Sequence, residues 1–220
     1  MTKKVVVIDP GHNGANQFNP DIIKQQVPAG NGTTKDCNTT GTQTAGGYPE
    51  YTFNWNVANR LKDQLQAKGI TVVMTRDSND GVGPCVDKRA QIGNDANPAA
   101  VISIHGDSTE NQQGNGFYSS LAEGAPGGAK VAGQSLRLAR DLNAAISASG
   151  VMSTADYIGE NGILTRSDLA GLNLSTVPTV LLELGNMSNA TDARIMTSEA
   201  NQSALADAIA KGTIKYLIGQ

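Results

Sequence analysis

Short, continuous apolar runs alternate along this chain with longer stretches in which apolar positions recur every three or four residues. "KVVVID" near the start, "ITVVMTR", "AVISIHGD" and "TVLLELG" are of the first kind, the pattern of strands buried on both faces. "GNGFYSS" reads as one further strand, at an edge of the sheet. The second kind opens at Pro49-Glu50, since proline suits the first helical position and an acidic residue the first turn. Glu50, Asn54, Val57, Ala58, Leu61 and Leu65 share one face of that helix, and Gly69 ends it. "VDKRAQIGNDANPA" predicts a short helix. "GQSLRLARDLNAAIS" predicts a longer one, with Leu136, Ala139, Leu142, Ala145 and Ile146 inward. A C-terminal helix over "SALADAIAKGTIKYLI" turns Leu205, Ala208, Ile209, Gly212 and Tyr216 inward. Between the first strand and first helix, residues 13–49 are rich in Gly, Asn, Thr and Gln and show neither period. An irregular stretch of that length inside a compact domain is normally functional or disordered.

Buried strands alternating with amphipathic helices predict an α/β fold: a twisted, mostly parallel (mixed) β-sheet flanked by helices. With no internal repeat or linker, residues 1–220 are expected to form a single domain. The composition agrees: 39% hydrophobic and 17% charged residues describe a globular chain, and 4% aromatics leave its core to Val, Ile, Leu and Ala. A net charge of -3 without a basic stripe argues against nucleic acid as a partner. No apolar run reaches the length of a membrane span. Lys3-Lys4 precede an apolar run far too short for the core of a signal peptide. Cys37 and Cys85 each lie in polar, Gly-rich surroundings. They are either two free thiols in loops or one disulfide in an oxidising compartment, and their settings favour the disulfide.

Ligands of such sheets bind beyond the carboxyl ends of the strands. Both histidines of the chain, His12 and His105, lie at the ends of predicted strands; Glu50 opens a helix and Glu183 interrupts "TVLLELG". Two imidazoles and a carboxylate are a usual three-ligand set for catalytic zinc, with a further carboxylate completing a hydrolytic centre. Each residue also has a plainer explanation. His12 can be a hydrogen-bonded surface residue, and Glu50 a carboxylate favoured by the helix dipole. Glu183 can be half of a buried salt bridge with Arg76 or Arg166, although a carboxylate inside an apolar strand is costly unless it is paired or functional. Other hydrolytic and phosphate-binding patterns are absent. There is no Gly-x-Ser-x-Gly elbow, and "GAPGGAK" lacks the Walker spacing and a Ser or Thr after Lys130.

In order and surroundings these residues resemble the zinc-dependent N-acetylmuramoyl-L-alanine amidases of the amidase-3 type over nearly the whole chain. The segments that carry the resemblance are "IDPGHNG", the helix-opening Glu50, "TRDSN", "RAQIGNDANPAAVISIHGDS" and "VPTVLLELGNMSN". The resemblance implies one Zn2+ per chain on His12, Glu50 and His105, with Glu183 as the catalytic glutamate. It implies hydrolysis of the amide between the lactyl group of N-acetylmuramic acid and L-alanine of the stem peptide. Peptidoglycan or muramyl peptide fragments are then the partners of a single catalytic amidase domain, expected to be monomeric and periplasmic or secreted after loss of a signal peptide. Asn13, Gly106, Asp107 and Asn186 depart from the usual family residues without removing a ligand or the base. The long segment around Cys37 and the cysteine pair are similar to those of mycobacterial periplasmic members. Some members carry an inhibitory helix between the second His and the catalytic Glu. Here that interval is short and Gly-rich, so an open site is expected. Two other readings of the same centre are a zinc peptidase acting within the stem peptide and a non-catalytic wall-binding module.

Overall fold

The apolar runs form the heart of a six-stranded sheet in the computed structural model, which describes residues 4–110 and 112–219. Strand β1 (Val5–Pro10) is followed by a 3-10 turn (Gly14–Phe18), a single turn of helix α1 (Pro20–Ile23), and a hairpin of β2 (Gln26–Gly30) and β3 (Thr33–Asp36). Helix α2 (Glu50–Ala67), strand β4 (Thr71–Met74), helix α3 (Val86–Asp95) and strands β5 (Ala100–Asp107) and β6 (Phe117–Ala122) come next. The chain continues through α4 (Gly128–Ser149), β7 (Ile163–Arg166), α5 (Ala170–Asn173), β8 (Thr179–Asn186), α6 (Ala190–Met196) and α7 (Glu199–Ile218).

Strand order is β4-β1-β5-β8-β6-β7; only the β6–β8 pair is antiparallel. The mostly parallel sheet therefore agrees with the sequence pattern. Strand alternation sorts the side chains onto two unlike faces. Val6, Ile8, Ile102, Ile104, Val180, Leu182 and Leu184 join α2, α4 and α7 in one large core. The opposite face is thin, with Val7, Val101 and Val177 packed by Val73 and Ala96. Its outer cover comes from α3, α5 and the β2–β3 hairpin, which contact one another. Toward the carboxyl ends of β1 and β5 this thin face turns polar, at Asp9, Ser103 and His105, and a site becomes possible there.

Several expectations need correction. "GNGFYSS" supplies not an edge but an interior strand: β6 lies between β8 and β7, with Phe117, Tyr118, Ser119 and Ser120 all buried. The strand that sets it inside, β7, carries only four residues of mixed polarity and gives no buried-strand signal. "ITVVMTR" forms an edge strand, only partly buried along its length. Residues 13–49 are not one irregular segment, since they hold the 3-10 turn, α1 and the hairpin. Among the predicted inward positions of α4, Ala139, Leu142 and Ile146 are buried; Leu136 and Ala145 are only partly so, and Leu138 takes the missing place.

Cys37 and Cys85 form a disulfide across 48 residues, fastening the segment after the hairpin to the start of α3. Backbone bonds reinforce the joint, with Val86 N–H donating to Cys37 O at 2.8 Å and Cys37 N–H to Gln25 O at 2.7 Å. Closing a loop of this size is worth about 4 kcal/mol in the chain-entropy view. A Cys37→Ser, Cys85→Ser double variant is therefore expected to lose a few kcal/mol of unfolding free energy, read from the urea midpoint. An unchanged midpoint would show that the joint is held by its backbone bonds alone.

Candidate active site

Three elements deliver three donors to one point. Strand β1 ends at Pro10, and Gly11 extends its ladder by one bond, N–H to Ile104 O at 3.0 Å. His12 then takes a left-handed conformation, φ 58°, which histidine tolerates better than most residues but at some cost. His105 lies near the end of β5, and its ring sits above Gly11 so closely that a β-carbon there would stand 2.1 Å from His105 Cε1. The two imidazoles meet edge to face, with ring centroids 5.0 Å apart. Glu50, the first residue of α2, spans them: Oε2 lies 3.2 Å from His12 Nε2 and Oε1 2.9 Å from His105 Nδ1. Backbone N–H groups of Thr42 and Gly106 donate to the same carboxylate, as does Asn54 Nδ2. Gly41 passes just outside, where a β-carbon would be 2.8 Å from Glu50 Oε2.

The donor atoms of His12, Glu50 and His105 all lie within 4.8 Å of one another, a group that could bind a metal ion. The chemistry of the set fits zinc, with two imidazole nitrogens and one carboxylate. His12 also has the outer support such a ligand needs, because Nδ1 faces the Thr39 carbonyl and hydroxyl, both at 3.2 Å, leaving Nε2 directed at the centre. Burial alone would raise the Glu50 carboxyl, yet the charge of His12 and hydrogen bonds from both imidazoles hold it well below the usual range. Burial lowers His12, and the Glu50 carboxylate more than compensates, raising it.

Glu183 pairs in register with His105 on one side and with Tyr118 on the other. Strands about 4.8 Å apart therefore carry it on the same face as the histidine. It makes no salt bridge with Arg76 or Arg166 among the described residues: Arg166 pairs with Asp168 at 2.7 Å, and Arg76 bonds backbone carbonyls and Asn79. Its Oε2 is buried without a hydrogen-bond partner. Burial, with the negative charges of Glu50 and Asp107 adding to it, pushes the Glu183 carboxyl well above the ordinary glutamate value. A buried carboxyl with a raised pKa, beside a group of donors that could hold a metal ion, is a common arrangement in hydrolytic sites.

Sequence reasoning missed the supports. Asp9 anchors the underside of the centre, bonded by Arg89, Ser103 and Thr75. Burial would raise its carboxyl, but the Arg89 charge and these bonds bring it down to about 2. Beyond Glu183, the Asp107 carboxylate accepts from Tyr118 and Tyr157 hydroxyls at 3.1 and 2.9 Å, fixing the loop that carries Tyr157. Only Asp9 had a sequence signal, as the polar stop after "VVVI". The long helix between His105 and Glu183, α4, packs with α7 in the large core on the opposite face. A cavity beside the imidazoles is bounded by Lys35, Arg89, Ser103, Leu169 and Leu181.

The sequence profile of the Amidase_3 family, described as N-acetylmuramoyl-L-alanine amidase, matches residues 6–215. The chain is 43% identical over 216 residues to the N-acetylmuramoyl-L-alanine amidase Rv3717 of Mycobacterium tuberculosis, covering 98% of this chain and 87% of that protein. The crystal structure of the amidase Ami1 from Mycobacterium smegmatis superposes with a TM-score of 0.93 at 41% identity, covering 99% of this chain and 98% of the other. The apo form of Ami1 from Mycobacterium abscessus gives 0.89 at 45% identity, covering 99% and 100%. With fold, sequence and the gathered histidine and glutamate side chains in agreement, this chain belongs to the Amidase_3 family of N-acetylmuramoyl-L-alanine amidases.

Proposed function

We propose that the chain is a zinc-dependent amidase that cleaves the bond between the lactyl group of N-acetylmuramic acid and L-alanine of the stem peptide. His12 Nε2, the Glu50 carboxylate and a ring nitrogen of His105 hold the ion, and Glu183 is the acid–base residue. One observation carries this reading: three donor atoms converge within 4.8 Å beside a carboxyl whose Oε2 has no partner. A zinc ion supplies Lewis acidity there, making water a competent nucleophile near neutral pH and polarising the amide carbonyl.

The chain's own groups do the rest. The Thr39 carbonyl and the fixed turn at His12 keep the imidazole aimed. Glu183 takes a proton from the attacking water as the new C–O bond forms at the lactyl carbonyl. It then delivers that proton to the alanine nitrogen as the C–N bond breaks, leaving a lactyl carboxylate and a free peptide amine. Its raised pKa suits this exchange, because a carboxyl too acidic would not hold the proton between the two steps.

Residues 1–220 act in this reading as one catalytic unit, monomeric and placed in the periplasm or outside the cell. The Cys37–Cys85 disulfide supports an oxidising compartment. No helix among the described residues is long and apolar enough to cross a membrane. Mass spectrometry of a muramyl peptide digest tests the reaction. Release of intact stem peptide with a free L-alanine amine, abolished by a chelator and restored by zinc, is expected. Products cut inside the peptide, with the lactyl-alanine bond intact, would instead identify a peptidase. No products with full zinc loading would identify a binding module.

A further inference from the structure

The carbonyls of three consecutive residues in the turn that carries His12 all point at two buried guanidinium groups. Pro10 O accepts from both, from Arg76 Nε at 2.9 Å and from Arg89 at 2.7 Å. Gly11 O accepts from Arg76 at 3.4 Å, and His12 O from Arg89 at 2.9 Å. Arg76 and Arg89 are 4% and 6% exposed. Arg89 is balanced by Asp9 at 2.8 Å, whereas no carboxylate among the described residues pairs with Arg76. Arg76 instead donates to the Ser78 and Tyr51 carbonyls and stacks on Trp55, 4.7 Å from the ring centroid.

Two buried cations with a single paired carboxylate, Asp9 on Arg89, are an expensive way to fill a protein layer. Apolar side chains would pack that space at lower cost, but they would leave the Pro10 and His12 carbonyls without these donors and Gly11 O with Asn54 Nδ2 alone, at 3.3 Å. The turn those carbonyls belong to holds His12 in a strained left-handed conformation, at φ 58°. We propose that Arg76 and Arg89 are positioning residues of the metal centre, clamping residues 10–12 so that His12 is held in its ligating pose before an ion binds. The inference rests on the metal reading above and concerns binding of the ion, not turnover.

Arginine is needed for its fork. Arg89 reaches Pro10 O and His12 O with two different nitrogens, which a single ammonium cannot span in the same way. The test is zinc affinity of the full chain, by competition with a chromogenic chelator, for metal-free parent, Arg89→Lys and Arg76→Lys, with circular dichroism confirming the fold. Both variants keep the charge and are expected to bind zinc about 10–100-fold more weakly, the range usual for outer supports of metal ligands. Leu61→Val, a change in the core of α2, controls for general destabilisation and is expected to leave affinity unchanged. Folded lysine variants with parental affinity would overturn the proposal, as would an equal loss in Leu61→Val. If only Arg89→Lys fails to fold, Arg76→Lys decides by the same criterion. Failure of both to fold would overturn the proposal in favour of a purely structural role. A parent that binds no zinc would remove the metal reading itself, an outcome separate from a parent that binds and variants that match it.

Discussion

Glu183→Gln should retain zinc and lose turnover, with kcat falling by about 10²–10⁴-fold, the usual worth of a positioned acid–base group. The substitution keeps the shape of the side chain and removes only its ability to exchange a proton. Zinc content by elemental analysis should stay near one per chain, because Glu183 is not among the three gathered donors. A variant that turned over at the parental rate would remove the assigned role. The same change has a second signature, in stability. Burial, with Glu50 and Asp107 nearby, raises the Glu183 carboxyl above its ordinary value of 4.5, so folding favours the protonated form. In the metal-free parent that favour is complete below about pH 4.5. It is lost progressively as pH rises toward the elevated folded pKa, where the unfolded chain ionises freely and the folded chain does not. Glutamine has no such dependence. Urea titrations of the metal-free proteins should therefore show Glu183→Gln gaining stability relative to the parent between pH 4.5 and neutrality. A constant difference across that range would mean that Glu183 is not held protonated.

Gly11→Ala should abolish metal binding while the protein stays folded. Gly11 does not have a positive φ, so its backbone accepts alanine without strain. The obstacle is space. The new β-carbon would stand 2.1 Å from Cε1, 2.4 Å from Nε2 and 2.6 Å from Nδ1 of His105, far inside van der Waals contact. The ring must swing away, and the group of donors formed with His12 and Glu50 loses its third member. Zinc affinity should fall by more than the roughly 100-fold limit usual for outer-shell changes. The contrasting substitution is Gly133→Ala, inside α4, where nothing lies within 4 Å of the new β-carbon. It should stabilise the helix by about 0.5–1 kcal/mol and leave metal binding untouched. Equal zinc affinities for Gly11→Ala and the parent would mean that His105 binds from another ring position than the one seen.

Much of this architecture is legible in one dimension. The runs of β1, β5 and β8 are dominated by Val, Ile and Leu, which leaves few alternatives to buried strands. The inward faces of α2 and α7 follow from spacing alone, and all the predicted positions on them are buried. Glu183 stands out because a carboxylate inside "TVLLELG" has no local explanation. The hairpin of β2 and β3 and the short β7 were not legible. Their residues are mostly polar and partly exposed, so burial leaves no period to read. The edge position expected for β6 failed for a related reason: being interior depends on a neighbour whose own signal is weak.

The sequence by itself determined the alternation of strands and helices, the class of sheet, and the residue types available for hydrolytic chemistry. Those properties depend on periodicity and composition within windows of a few residues. Only the tertiary structure decided that His12, Glu50 and His105 meet. Their convergence requires β1 and β5 to be neighbours, α2 to begin above them, and Gly11 to leave room for a ring. Arg89 and Asp9 show the same limit, joined at 2.8 Å across 80 residues of chain. Local patterns specify which faces are buried, while strand order and packing specify which distant side chains share one point. A cluster of donors able to hold a metal ion is a property of the second kind.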